Sequence, residues 1–174
     1  MDPFTQAFTN TMGNEGQYSN NPNDAGGETC WGITIATARA NGYEGSMRDM
    51  PIETAQAIYK TKYWDVMHLD SIASIDTNLS CKLFDIGVNM GPKTAVMMLQ
   101  RALDILNRCG QLYPDLNIDG SFGNQTNTAL SGLPESDYPM LYRYVQFLQA
   151  KHYIEIIINN PTQKVFARGW GARV

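Results

Sequence analysis

Three carboxylates and a hydroxyl are crowded into one stretch, Asn14 to Thr34, which reads NEGQYSNNPNDAGGETCWGIT. They are Glu15, Asp24, Glu28 and Thr29. Asp24 follows Glu15 with eight residues between, and Thr29 follows Asp24 with four. Carboxylates grouped this way suit general acid and base chemistry, in which one side chain gives a proton and another takes one or stabilises a cation. The element that must position Glu15 is a helix. Asp2-Pro3 before Phe4 is a helix start, with a side-chain oxygen for free N–H groups and a ring that presets φ, and Gly16 is a stop. Phe4, Phe8 and Met12 form an i, i+4 stripe, and Glu15 falls three residues later on the edge of that face. Partial desolvation there raises a carboxyl pKa and keeps it protonated, the state a general acid needs.

After Gly16 the composition shifts to Asn, Pro, Asp and Gly. Tyr18 to Gly27 therefore reads as turns leading into a short hairpin, with Asp24 and Glu28 on irregular backbone. Glu28, between Gly27 and Thr29, is either a rival carboxylate or a solvent-facing hairpin charge.

EGQYSNNPNDAGGETCWGIT resembles the signature of glycoside hydrolase family 108, N-acetylmuramidases with a lysozyme-like catalytic region. The resemblance continues in KYWD (Lys62 to Asp65), FDIGVNMGPKTAVMMLQRAL (Phe84 to Leu103), IDGSFGNQT (Ile118 to Thr126) and FARGWGARV at the end. The later blocks resemble the helical peptidoglycan-binding region that follows the catalytic one in this family. Gln17 stands where the family usually has a second Gly, and Ala25 where it often has Pro. The resemblance implies hydrolysis of the β-1,4 bond between N-acetylmuramic acid and N-acetylglucosamine. It assigns Glu15 as the acid; Asp24 and Thr29 are the remaining catalytic candidates, and Tyr18, Asn20, Glu28, Trp31 and Asn89 are candidate substrate contacts. Asp24 acts as base, as nucleophile or as a negative charge near a cationic transition state, and all three roles stand open. So do a lytic transglycosylase using the same Glu and a non-catalytic wall-binding protein. No cofactor and no metal is implied. The partner is the peptidoglycan glycan strand, met by a monomer.

At 174 residues with 43% hydrophobic and 17% charged, the composition is that of a globular chain. The net charge of −4 and the absence of Lys/Arg runs argue against nucleic acid. Cys30, Cys81 and Cys109 are too widely spaced for a disulfide framework or metal pattern and read as buried thiols. No basic segment followed by an apolar run opens the chain, and no apolar run is long enough to enter a bilayer as a span. The expectation is synthesis in the cytoplasm with export by another agent, which the resemblance implies to be a holin pore or a secretion system built on one.

Downstream, Thr34 caps a helix through Ala40, stopped by Asn41-Gly42. Pro51 opens another, with Ile52, Ala55, Ile58, Tyr59 and Tyr63 on one face. Tyr63-Trp64 read as core ahead of a sugar subsite. A helix over Leu79 to Val88 breaks at Asn89-Met90-Gly91-Pro92, where Asn89 either caps the helix or faces the glycan. The next helix carries Ala95, Val96, Leu99, Ala102, Ile105 and Leu106. DLNIDGSFGNQT imitates a calcium loop but holds Thr126 at the place of the bidentate Glu, so it reads as a turn at Asp119-Gly120 with Gly123 before a short helix. Ser136 or Asp137 with Pro139 starts a last long helix that ends at Asn159-Asn160-Pro161. His68 and His152 stand alone. The fold expected is mainly α, a lysozyme-like α+β arrangement with a small β-hairpin beside the catalytic helix. Residues 1–88 form the catalytic region, and residues 89–174 form a helical region packed on it as one unit.

Overall fold

A computed structural model describes residues 1–13, 18–20 and 27–174. Among these the chain is mainly helical with one two-stranded antiparallel sheet, and it divides into two compact units, Met1–Val88 and Asn89–Val174.

The first unit opens with α1 (Pro3–Met12). Asp2 caps it, accepting the Thr5 N–H at 3.0 Å, and Pro3 occupies its first turn. The helix ends earlier than its sequence suggests. Gly13 takes a φ of 60° and donates its N–H to the Thr9 carbonyl at 2.9 Å, so the glycine nearest the helix stops it and Gly16 does not. The placement of Glu15 on the face of α1 therefore does not follow from the helix, and Glu15 itself lies outside the described residues.

Next come β1 (Thr29–Cys30), β2 (Ile33–Thr34) and α2 (Ile35–Ala40), the last capped by the Thr34 hydroxyl. After a 3-10 turn at Met47–Asp49, α3 (Ile52–Tyr59) runs into a π-helical turn at Lys60–Trp64. Then follow α4 (Leu69–Ala73) and α5 (Thr77–Met90). The π turn rotates the end of the α3 path, which the uniform helical periodicity could not register. Trp64 is fully buried there, against Phe4 at 5.5 Å and Phe84 at 6.0 Å between ring centroids. Its indole N–H donates to the Asp70 carboxylate at 2.8 Å. The core reading holds for Trp64. Ile52, expected on the buried face, is 37% exposed at the first residue of α3.

In the second unit α6 (Pro92–Leu106) packs along α8 (Tyr138–Asn159), and α7 (Asn124–Gly132) packs on α6. Ile105 is half exposed, a correction to its assigned place on the α6 core face, where Leu99 and Ala102 are buried as expected and Leu103 is buried with them. The IEIII run at the end of α8 is helical, and Asn160 ends it, accepting the Thr162 N–H. A 3-10 turn at Pro161–Phe166 and α9 (Ala167–Gly171) then fold back onto α8.

The calcium-like loop is organised by Gln100, which is 1% exposed. Its amide nitrogen donates to the Asp119 carboxylate at 3.0 Å, the Ser121 carbonyl at 3.1 Å and the Thr126 hydroxyl at 3.1 Å. Its oxygen accepts the Gly120 N–H at 2.9 Å. The Gln100 hydrogen bond, with the Ser121 N–H, holds the Asp119 carboxyl below the usual carboxylate range. Gly120 must be glycine: its φ is 76°, and a Cβ would lie 2.8 Å from the Lys93 carbonyl oxygen. Gly123 then caps α7, as the turn-plus-cap reading expects. Gln100→Leu should destabilise the second unit by about 1–3 kcal/mol, because the buried Thr126 hydroxyl and the Asp119–Ser121 turn lose their hydrogen bonds to it together. A lowered urea midpoint with unchanged m-value would measure it.

Candidate active site

The hairpin fixes the geometry around the carboxylate-rich motif. Thr29 pairs with Thr34 and Cys30 with Ile33, leaving Trp31 and Gly32 as a two-residue turn. Both have positive φ, 52° and 72°, as a type I′ hairpin turn requires. Glycine adopts this readily, whereas a tryptophan in the left-handed region costs on the order of 1–2 kcal/mol. Two hydrogen bonds hold it there. The Trp31 indole N–H donates to the Met50 carbonyl at 3.0 Å, and the Trp31 carbonyl accepts the Tyr59 hydroxyl at 3.2 Å. Gly32 is fixed by the same tyrosine, whose hydroxyl would stand 2.7 Å from any Cβ at that position.

Tyr59 links the hairpin to the helical core. It packs against Phe8 of α1 at 5.5 Å and Phe84 of α5 at 6.3 Å, and stacks on Tyr63 at 5.5 Å. Burial, with Tyr63 beside it, pushes its phenol up to about 12. A folded-state pKa above the unfolded value of 10 gives stability that is present below pH 10 and lost as pH rises towards 12. The loss is roughly 2–3 kcal/mol. Tyr113, buried in the second unit, is raised to about 12 in the same way. Tyr59→Phe should remove the alkaline loss from the first unit alone, read as urea midpoints between pH 9 and 12, at the cost of the bond to Trp31.

The segment before the motif joins the hairpin directly. Ser19 N–H donates to the Thr29 carbonyl at 2.7 Å and Thr29 N–H to the Ser19 carbonyl at 2.8 Å, so Tyr18 to Asn20 runs antiparallel beside β1. The Tyr18 ring lies 4.5 Å from the Arg48 guanidinium, a cation–π contact that steadies it at a half-buried position. Asn20 is exposed. Glu28 is half-buried, and its carbonyl accepts the Ile35 N–H at 2.8 Å. The Thr29 hydroxyl donates to the Gly27 carbonyl at 3.3 Å, which leaves its oxygen lone pairs as acceptors.

Tyr18, Asn20, Glu28, Thr29 and Trp31 thus share one small antiparallel patch. The Trp31 N–H is committed to Met50, so any substrate contact from that residue falls to the ring. Glu15 and Asp24 lie outside the described residues. Asn89 belongs to the second unit and sits exposed in the last turn of α5, which runs two residues further than Val88; it is therefore not beyond the helix end as a cap. Arg48 and the hairpin-holding role of Tyr59 were not visible in the sequence, because neither belongs to a motif at recognisable spacing. The thiols divide: Cys30 is buried and Cys81 partly so, but Cys109 is exposed, since its turn after α6 carries it outward with a φ of 56°. Among the described residues no three His, Cys, Asp or Glu side chains cluster as a metal site, and no helix is long and apolar enough to cross a membrane.

Residues 8–91 match the family model described as glycosyl hydrolase 108. These residues form a glycosyl hydrolase 108 region. Residues 94–174 match a second model, described as a predicted peptidoglycan domain, so the protein is a glycoside hydrolase with a peptidoglycan-binding region behind its catalytic one. The fold is similar to a solved structure titled "Structure of Brucella abortus SagA", with a TM-score of 0.68 and 25% identity over 98% of this chain and 88% of that one. A search of curated proteins found no match. The family 108 region and the second region together make peptidoglycan the substrate of this hydrolase.

Proposed function

We propose that the enzyme is an N-acetylmuramidase that hydrolyses the β-1,4 bond between N-acetylmuramic acid and N-acetylglucosamine, with Glu15 as general acid. The observation that carries this reading is the pairing of Ser19 with Thr29, inside the family 108 region. It folds the two flanks of the carboxylate motif against each other, with Glu15 preceding one flank and Asp24 falling between the two in sequence. Glu15 protonates the leaving oxygen as positive charge develops on the sugar ring. Water adds to the anomeric carbon, either directly with Asp24 taking its proton or after an Asp24-bound intermediate. Carboxyls roughly 5 Å apart give retention, and about 6.5–9.5 Å gives inversion. The Thr29 hydroxyl, with its own hydrogen on Gly27, is left to accept a hydrogen bond from that water.

Digestion of purified sacculi tests the bond and the chemistry together. A muramidase releases fragments ending in a reducible muramic acid, which borohydride converts to the alcohol. A lytic transglycosylase releases anhydro fragments, lighter by one water and inert to borohydride. Anhydro products would replace this reading with the transglycosylase, and pelleting with sacculi without any soluble fragment would replace it with wall binding alone.

A further inference from the structure

We infer that the C-terminal segment 161–174 is the wall-contacting platform of the second unit, with Phe166 stacking on a glycan sugar while Lys164 and Arg168 hold carboxylates of the stem peptide. The inference rests on peptidoglycan being the ligand. Three rings step outward from the core of this unit. Tyr153 is 6% exposed and stacks on Trp170 at 4.9 Å and 13°. Trp170 stacks in turn on Phe166 at 5.7 Å and 29°. Phe166 is 52% exposed and its neighbour Val165 78%. The Gln146 side-chain amide donates to the Val174 carbonyl and ties the end of the segment to α8. An aromatic ring is thus presented to solvent on a stacked support, so little conformational freedom remains to be lost when a sugar's apolar C–H face covers it.

Charge selects the ligand. Residues 161–174 carry Lys164, Arg168 and Arg173 and no acidic side chain, in a chain whose net charge is −4. Lys164 and Arg168 are exposed within one helical turn of Phe166 in sequence. A neutral glycan has no use for cations, but peptidoglycan stem peptides carry free carboxylates, which a guanidinium binds through paired hydrogen bonds. A ring for the sugar beside cations for the peptide matches that polymer on both counts.

The test uses the full chain pelleted with purified sacculi. Phe166→Ala should raise the apparent Kd about tenfold, as loss of a central aromatic anchor does. Arg168→Glu should weaken binding and flatten its dependence on salt. Phe147→Ala, which removes an exposed ring on α8 outside the segment, should bind like the parent. Hydrolysis of a short soluble glycan fragment should be unchanged in Phe147→Ala, which shows that the control variant is folded. The inference is overturned if the parent does not pellet, if the Phe166 and Arg168 variants pellet like the parent, or if Phe147→Ala weakens binding equally. Should Phe166→Ala lose its helical circular dichroism, Arg168→Glu decides alone. Absence of reducing ends from the parent would instead defeat the muramidase reading, while pelleting still decides the platform.

Discussion

Glu15→Gln is expected to slow wall hydrolysis by about a hundred- to ten-thousandfold, the usual worth of a positioned general acid. The amide keeps the size and most hydrogen-bonding capacity of the acid but has no proton to give. The leaving oxygen must then depart as an alkoxide or take its proton from water. The loss should fall on kcat, because the proton moves only as the bond breaks and a neutral amide disturbs substrate binding little. Turbidity clearance of sacculi, with Tm and sacculus pelleting as controls, measures it. Near-parental clearance by a folded variant would remove Glu15 from the chemistry. Asp24→Asn, made in parallel, addresses the second carboxylate: a base or nucleophile is lost with it, whereas a purely electrostatic role leaves more of the rate behind.

The largest effect on stability is expected at Trp64. Trp64→Ala should destabilise the first unit by about 3–5 kcal/mol, since it removes a large, fully buried ring and leaves a cavity. The side chain touches Phe4 of α1 and Phe84 of α5, and its N–H bonds the Asp70 carboxylate on α4. One truncation therefore loosens three helices at once. Against the 5–15 kcal/mol typical of a folded domain, that leaves a unit marginal at best. Trp64→Phe keeps most of the packing and loses the Asp70 bond, so it should cost clearly less. Urea unfolding of the first unit's transition separates them, and an alanine variant as stable as the phenylalanine one would show that the site collapses without a cavity. Loss of activity in Trp64→Ala should follow unfolding and be recovered at lower temperature. That would distinguish it from Glu15→Gln, whose defect persists in a folded protein.

What was legible in the sequence was local. Asp2-Pro3, Thr34, Asn41-Gly42, Gly123 and Asn160 each act within a turn of their own position, so caps and stops could be read from residue type. The mainly helical class, the small hairpin and the helical end of α8 follow from periodicity, turn residues and propensity, and the core place of Trp64 from its residue type. The family could be recognised because its motif residues lie close together in the chain.

Tertiary structure decided what depends on neighbours remote in sequence. Trp31 takes a left-handed backbone because Met50 and Tyr59 hold it, and no local preference of tryptophan would suggest that. The π turn at Lys60–Trp64 adds a rotation to which periodicity is blind, and it is this turn that carries Trp64 inward. α1 stops at Gly13 when two glycines were available, a choice set by a backbone bond to Thr9. Gln100 looks like a surface residue by type, yet is buried because four groups of a distant loop converge on it. Ile105 and Cys109 look apolar, yet are exposed, Ile105 in the last turn of α6 and Cys109 in the turn after it. Residue type and spacing fixed the elements and the chemistry on offer; which side chains are buried and which strands adjoin the motif arose only when segments tens of residues apart came into contact.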